Sequence, residues 1–108
     1  MKENNYCIIF STAGSAAEAD KIAAALIDAR AAACVQMTPI TSLYRWKGAV
    51  EREPEIHLMI KTRDELYDAA AEIIRANHSY ETPQIVRVPI TDGLPEYLDW
   101  IRDETGEK

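Results

Sequence analysis

The chain has 108 residues, 47% of them apolar and 28% charged, the values of a globular protein with a single hydrophobic core. Twelve basic residues stand against 18 acidic ones, for a net charge of −6, and no window is rich in Lys or Arg; nucleic acid is not an expected partner. No apolar run approaches the roughly 20 residues that cross a bilayer, and the run at residues 7–10 is too short for a signal-peptide core, so no membrane insertion and a cytoplasmic location are expected.

Residues 6–10 form a continuous apolar run, as in a central strand. Gly14 breaks it. Ser15 and Glu18 have capping-box spacing, and behind them Ala19, Ile22, Ala23, Leu26 and Ile27 recur at helical spacing, which predicts an amphipathic helix over 16–31. A second strand starts at Ala33 and Cys34. Pro39 should bend it or place it at a sheet edge, and it resumes to Trp46. Lys47, Gly48 and Ala49 are the natural turn, and the chain returns past Pro54 to Lys61 as a long hairpin. Thr62 and Glu65 repeat the capping-box spacing ahead of Leu66, Ala69, Ala70 and Ile73, a second amphipathic helix ending near Ala76. Residues 77–83 read as a loop, 85–90 as a fourth strand and 96–102 as a short final helix. The polar tail 103–108 is expected to fray.

The fold class is therefore α+β: one domain over 1–108 with the ferredoxin-like split β-α-β-β-α-β order, an antiparallel sheet, a long hairpin between its second and third strands, and a C-terminal helix. A 16-residue helix is roughly 24 Å long, whereas the strand over 34–46 extends roughly 40 Å. The helix cannot cover the hairpin, whose overhang carries Leu43, Tyr44 and Trp46. Apolar groups on such an arm mark an interaction surface, which points to docking on another copy of the chain. The competing reading buries the arm within the chain under the last helix, with its Tyr97 and Trp100.

The chain offers little catalytic chemistry. There is no Gly-x-Ser-x-Gly elbow, no P-loop and no dinucleotide fingerprint. Ser15 is explained as a cap. Cys7 and Cys34 lie in apolar strands and read as free thiols; no closely spaced Cys or His pair forms a zinc-finger-type site. His57 alternates with apolar strand residues and reads as a surface or interface histidine. His78 sits in a loop with Glu81 three residues on, a pair with some capacity for copper or zinc or, on the plainer reading, a helix-end cation. Glu51, Glu53 and Glu55 read as a solvated stripe paired with Arg45 or Arg52. We expect a binding protein, not an enzyme.

Several segments, in order, resemble one family. Ala32-Ala33-Cys34-Val35, Thr41-Ser42-Leu43-Tyr44-Arg45-Trp46-Lys47-Gly48, Ile60-Lys61-Thr62, His78-Ser79-Tyr80-Glu81-Thr82-Pro83, Pro89-Ile90 and Tyr97-Leu98-Asp99-Trp100-Ile101 are similar to the CutA divalent-cation tolerance proteins. The resemblance implies a tight homotrimer with an architecture like that of PII signalling proteins, and binding of Cu(II) or another divalent metal. The family's copper site has a cysteine where this chain has Ser11 and paired histidines where it has Asn77 and His78, followed by a proline where it has Ser79. One of the three ligands remains, and a lone imidazole is a weak site. The metal candidates are accordingly His78 and Glu81. A second reading is a PII-like sensor or adaptor with a small-molecule pocket between subunits, lined by Trp46, Lys61, Tyr80 and Glu81.

Overall fold

The computed structural model describes residues 5–106; residues 1–4 and the last two tail residues, Glu107 and Lys108, lie outside it. Strand β1 (Tyr6–Ala13) is paired along both edges, the central position that its continuous apolar run predicts. Helix α1 (Ala16–Asp28) starts at Ser15, whose hydroxyl accepts the Glu18 N–H at 3.2 Å. It ends three residues before the expected boundary, because Arg30 turns the chain at φ 57.

Strand β2 (Cys34–Trp46) runs unbroken through Pro39 at the sheet edge, the position where proline is tolerated. Lys47 and Gly48, both at positive φ, make a two-residue turn into β3 (Ala49–Arg63). The register therefore pairs Leu43 with Arg52 and Arg45 with Val50, so neither arginine stands directly across the hairpin from an acid of the 51–55 stripe.

The second capping box does not form. Thr62 remains in β3 and its hydroxyl donates to the Ala31 carbonyl at 2.7 Å, a stronger claim in the core than a helix end offers. A 3-10 turn (Asp64–Leu66) intervenes, and α2 runs Tyr67–Ala76. Strand β4 (Val86–Ile90) and helix α3 (Pro95–Asp103) complete the chain.

The sheet order is β2-β3-β1-β4, antiparallel throughout, as the split β-α-β-β-α-β reading requires. The core lies between the sheet and helices α1 and α2. Cys7, Ile9, Leu58 and Ile60 from the strands meet Ala19, Ile22, Leu26, Ala70 and Ile74 from the helices. Each fully buried Ile or Leu contributes about 1.5–3 kcal/mol. The Cys7 thiol belongs to this core; burial, then the neighbouring Asp64 carboxylate, push its pKa up to about 12, so it is a packing group and not a nucleophile.

The tail is held as far as Gly106, contrary to the expected fraying. Arg63 Nε donates to the Thr105 hydroxyl at 2.9 Å, the Gly106 N–H donates to the Arg30 carbonyl at 2.9 Å, and Arg30 Nε donates to the Gly106 carbonyl at 2.8 Å. No helix among the described residues is long and apolar enough to cross a membrane.

The far half of the β2–β3 hairpin projects as an arm from a molecule 47 Å in its longest dimension. Leu43 is 65% exposed, Val50 59% and Trp46 44%. Helix α3 does not cover it: Tyr97 instead meets Lys61 at the other end of β3, hydroxyl to Nζ 3.3 Å, and stacks on Trp100.

Candidate functional site

The loop after α2 is fastened by one buried histidine. Asn77 Nδ2 donates to the Ile73 carbonyl at 2.9 Å, which closes the helix and delivers His78 to the end of β1. His78 Nε2 lies 2.6 Å from the Thr12 carbonyl oxygen. A carbonyl only accepts, so Nε2 carries the proton. Nδ1 then accepts the Tyr80 N–H at 3.2 Å. It also lies 3.1 Å from Glu18 Oε2, to which it donates when the ring is charged. The His78 side chain is fully buried.

Glu18 completes the fastening. Its carboxylate does not turn back to the Ser15 N–H as a capping box would; Oε2 accepts both the Ser79 N–H at 2.9 Å and the Ser79 hydroxyl at 3.2 Å. Burial acts to raise the Glu18 pKa, but the two Ser79 donors, His78 and Lys21 outweigh it, and the net shift is downward. A carboxyl with a depressed folded pKa contributes stability that is present above its unfolded pKa of about 4.3 and lost as pH falls through the folded value. Acidification from pH 5 to pH 3 is therefore expected to lower the urea midpoint more in the native sequence than in Glu18→Gln. Parallel loss in the two proteins would show that Glu18 contributes nothing specific.

The same loop walls a cleft of about 350 Å³ alongside the arm, lined by Thr12, Tyr44, Trp46, Glu55, Tyr80, Glu81, Thr82 and Gln84. At its floor Glu55 is only 8% exposed. Glu55 Oε1 accepts the Ser42 hydroxyl at 2.6 Å and Oε2 accepts the Tyr80 hydroxyl at 2.7 Å. Burial, followed by this bond to Glu55, raises the Tyr80 pKa, so the phenol stays a donor. Gly14 permits the approach: a Cβ there would stand 3.1 Å from the Tyr80 hydroxyl.

Of the residues singled out from sequence, Trp46, Tyr80 and Glu81 share this cleft. Lys61 lies away from it, against Tyr97. His78 and Glu81 are three residues apart but face different surroundings: the imidazole is locked inside, whereas Glu81 is exposed. Ser11, at the family's cysteine position, is buried, and its hydroxyl has no hydrogen-bond partner among the described residues. Glu55 and Tyr44 were missed. Glu55 is not part of a solvated stripe with the exposed Glu53; the signal in sequence was its position at the start of the apolar run that continues through Ile56, Leu58 and Ile60.

A family model described as CutA1 divalent ion tolerance protein matches residues 7–104. This chain belongs to the CutA1 family. The divalent-cation tolerance protein CutA of Archaeoglobus fulgidus is 44% identical over 99 residues, covering 92% of this chain and 96% of that one. Protein CutA of Mus musculus is 40% identical over 97 residues, covering 89% of this chain and 55% of the longer mouse protein. Among solved structures, CutA1 from Oryza sativa superimposes with a TM-score of 0.92 at 35% identity, covering 96% of each chain. The Archaeoglobus fulgidus structure, described as a periplasmic divalent cation tolerance protein, gives 0.90 at 40% identity, covering 92% of this chain and 97% of that one. Such values establish the α+β fold of this CutA1 member as well as its family.

Proposed function

We propose that this chain is a homotrimeric binding protein of divalent-cation tolerance that works in the cytoplasm and takes up Cu(II) or another divalent ion weakly. The observation that carries the assembly is the bare arm, with Leu43, Tyr44, Trp46 and Val50 exposed and no cover from α3. An isolated two-stranded ribbon is marginally stable in water, and sister subunits supply the missing apolar contact. Relatives named for divalent-cation tolerance support the physiological role. Weak metal binding fits the donors: Glu81 offers an exposed carboxylate, while a cation reaches His78 only by displacing the Thr12 carbonyl or the Tyr80 N–H. A binding role also fits the hydroxyl and imidazole groups, since Ser15 is spent on a helix cap and His78 on the loop.

Light scattering at low micromolar concentration is expected to report three times the 12.1 kDa chain mass. A folded 12.1 kDa particle would remove the assembly and the reading built on it.

A second reading is favoured by the cleft itself: a PII-like sensor or adaptor that binds a small molecule beside Trp46, Tyr80 and Glu81. Lys61 would join such a pocket only from a neighbouring subunit. A thermal-shift screen with nucleotides, carboxylates and amines separates it from the first; a blank screen counts against it.

A further inference from the structure

A carboxylate removed from water is costly unless charge of the opposite sign meets it. Glu55 is buried to more than nine-tenths, receives two neutral hydroxyl donors, and forms no ion pair with a Lys, Arg or His among the described residues. The same cleft is lined by three aromatic side chains, Tyr44, Trp46 and Tyr80, and by Glu81. Aromatic faces and carboxylates both attract cations. The chain shows this on a small scale, since Lys47 Nζ sits 5.7 Å from the centroid of the Trp46 ring.

The kind of cation follows from the donors. A hard divalent metal takes six or more oxygen lone pairs in a close shell. Here each Glu55 oxygen already accepts a hydroxyl, and the rings supply π-density instead of lone pairs. Diffuse positive charge clothed in methyl or methylene groups suits such walls better, since it gains from ring faces and apolar contact together. The volume of about 350 Å³ lies within the range of small-molecule pockets.

We infer that the cleft formed by Tyr44, Trp46, Tyr80, Glu55 and Glu81 is a receptor for a small organic ammonium ion. This rests on the reading of the cleft as a ligand pocket and names the class of its ligand; because Tyr44 and Trp46 are also arm residues, the cleft lies at the seam between subunits of the proposed trimer.

The test is calorimetry on the assembled protein with choline and with 3,3-dimethylbutan-1-ol, its uncharged isostere. Choline is expected to bind at least about tenfold more tightly, one tenfold step being about 1.4 kcal/mol. Glu55→Gln is expected to weaken choline about tenfold, and Glu81→Gln, at an exposed site, about threefold, with the isostere unchanged in both. Equal binding of choline and isostere overturns the inference. So does choline silence up to about 10 mM, where dissociation constants correspond to less than about 3 kcal/mol. If choline is silent while a nucleotide or carboxylate binds, the pocket stands and the ligand class falls. If every probe is silent, both fall, and a side chain from a neighbouring copy fills the cleft. Should Glu55→Gln fail to fold, the choline–isostere ratio in the native sequence decides alone.

Discussion

His78→Ala is expected to destabilise the fold by about 2–4 kcal/mol, independently of any metal. The substitution deletes a fully buried ring and both of its hydrogen bonds, one to the Thr12 carbonyl at 2.6 Å and one from the Tyr80 N–H at 3.2 Å. Thr12 is itself buried, and its carbonyl loses a partner. The ring packs 4.7 Å from Tyr80, centroid to centroid, and that contact goes too. Urea unfolding monitored by circular dichroism measures the loss. His78→Gln, whose amide can donate to Thr12 and accept from Tyr80, should recover a large part of it. A His78→Ala midpoint equal to that of the native sequence would show that the loop is fastened elsewhere. The expectation bears on copper titrations, because a heat that disappears in His78→Ala reports on loop integrity as much as on ligation.

Leu43→Asp combined with Trp46→Asp is expected to reduce the proposed trimer to a single 12.1 kDa chain at low micromolar concentration. Both side chains lie on the uncovered arm, 65% and 44% exposed, so the isolated subunit tolerates the change. The assembly does not. Each apolar burial forgone is worth about 1.5–3 kcal/mol, and each new carboxylate carries a desolvation cost of several kcal/mol when covered by another subunit. Two such positions per chain raise the dissociation constant by well over about a hundredfold. Light scattering across a dilution series reads the result, with far-ultraviolet circular dichroism as the check on folding. An unchanged mass would show that the arm is not the docking element.

What could be read in advance was whatever neighbouring residues decide among themselves. The apolar run of β1, the Ser15 cap, the Lys47–Gly48 turn and the 3.6-residue spacing of α1 are local, and all stand in the structure. The failures share a cause in hydrogen bonds between distant positions. Thr62 has the sequence of a cap, yet the Ala31 carbonyl, 31 residues away, takes its hydroxyl. Glu18 has the sequence of a capping-box acid, yet Ser79, 61 residues on, takes its carboxylate. Glu55 reads as one of three alternating surface acids, and only the arrival of Tyr80, 25 residues later, reveals it as the floor of a cleft. The tail was misjudged for the same reason, because Arg30 and Arg63 reach it from far back in the chain. Of the site, the aromatic and acidic members of the 78–84 loop were visible by type. Their division into a locked imidazole and an open carboxylate was not.

The position of β1 at the centre of the sheet has a consequence for synthesis on the ribosome. Tyr6 pairs with Arg63 on one edge and Ile90 on the other, so the strand made first finds its partners late. Until most of the polypeptide has emerged, residues 7–10 travel as an apolar ribbon with both edges bare, a template for wrong pairing between nascent chains. The β2–β3 hairpin, closed by a two-residue turn, can form from its own neighbours meanwhile. Translation speed across the segment between Arg63 and Ile90 thus sets how long that early ribbon stays at risk.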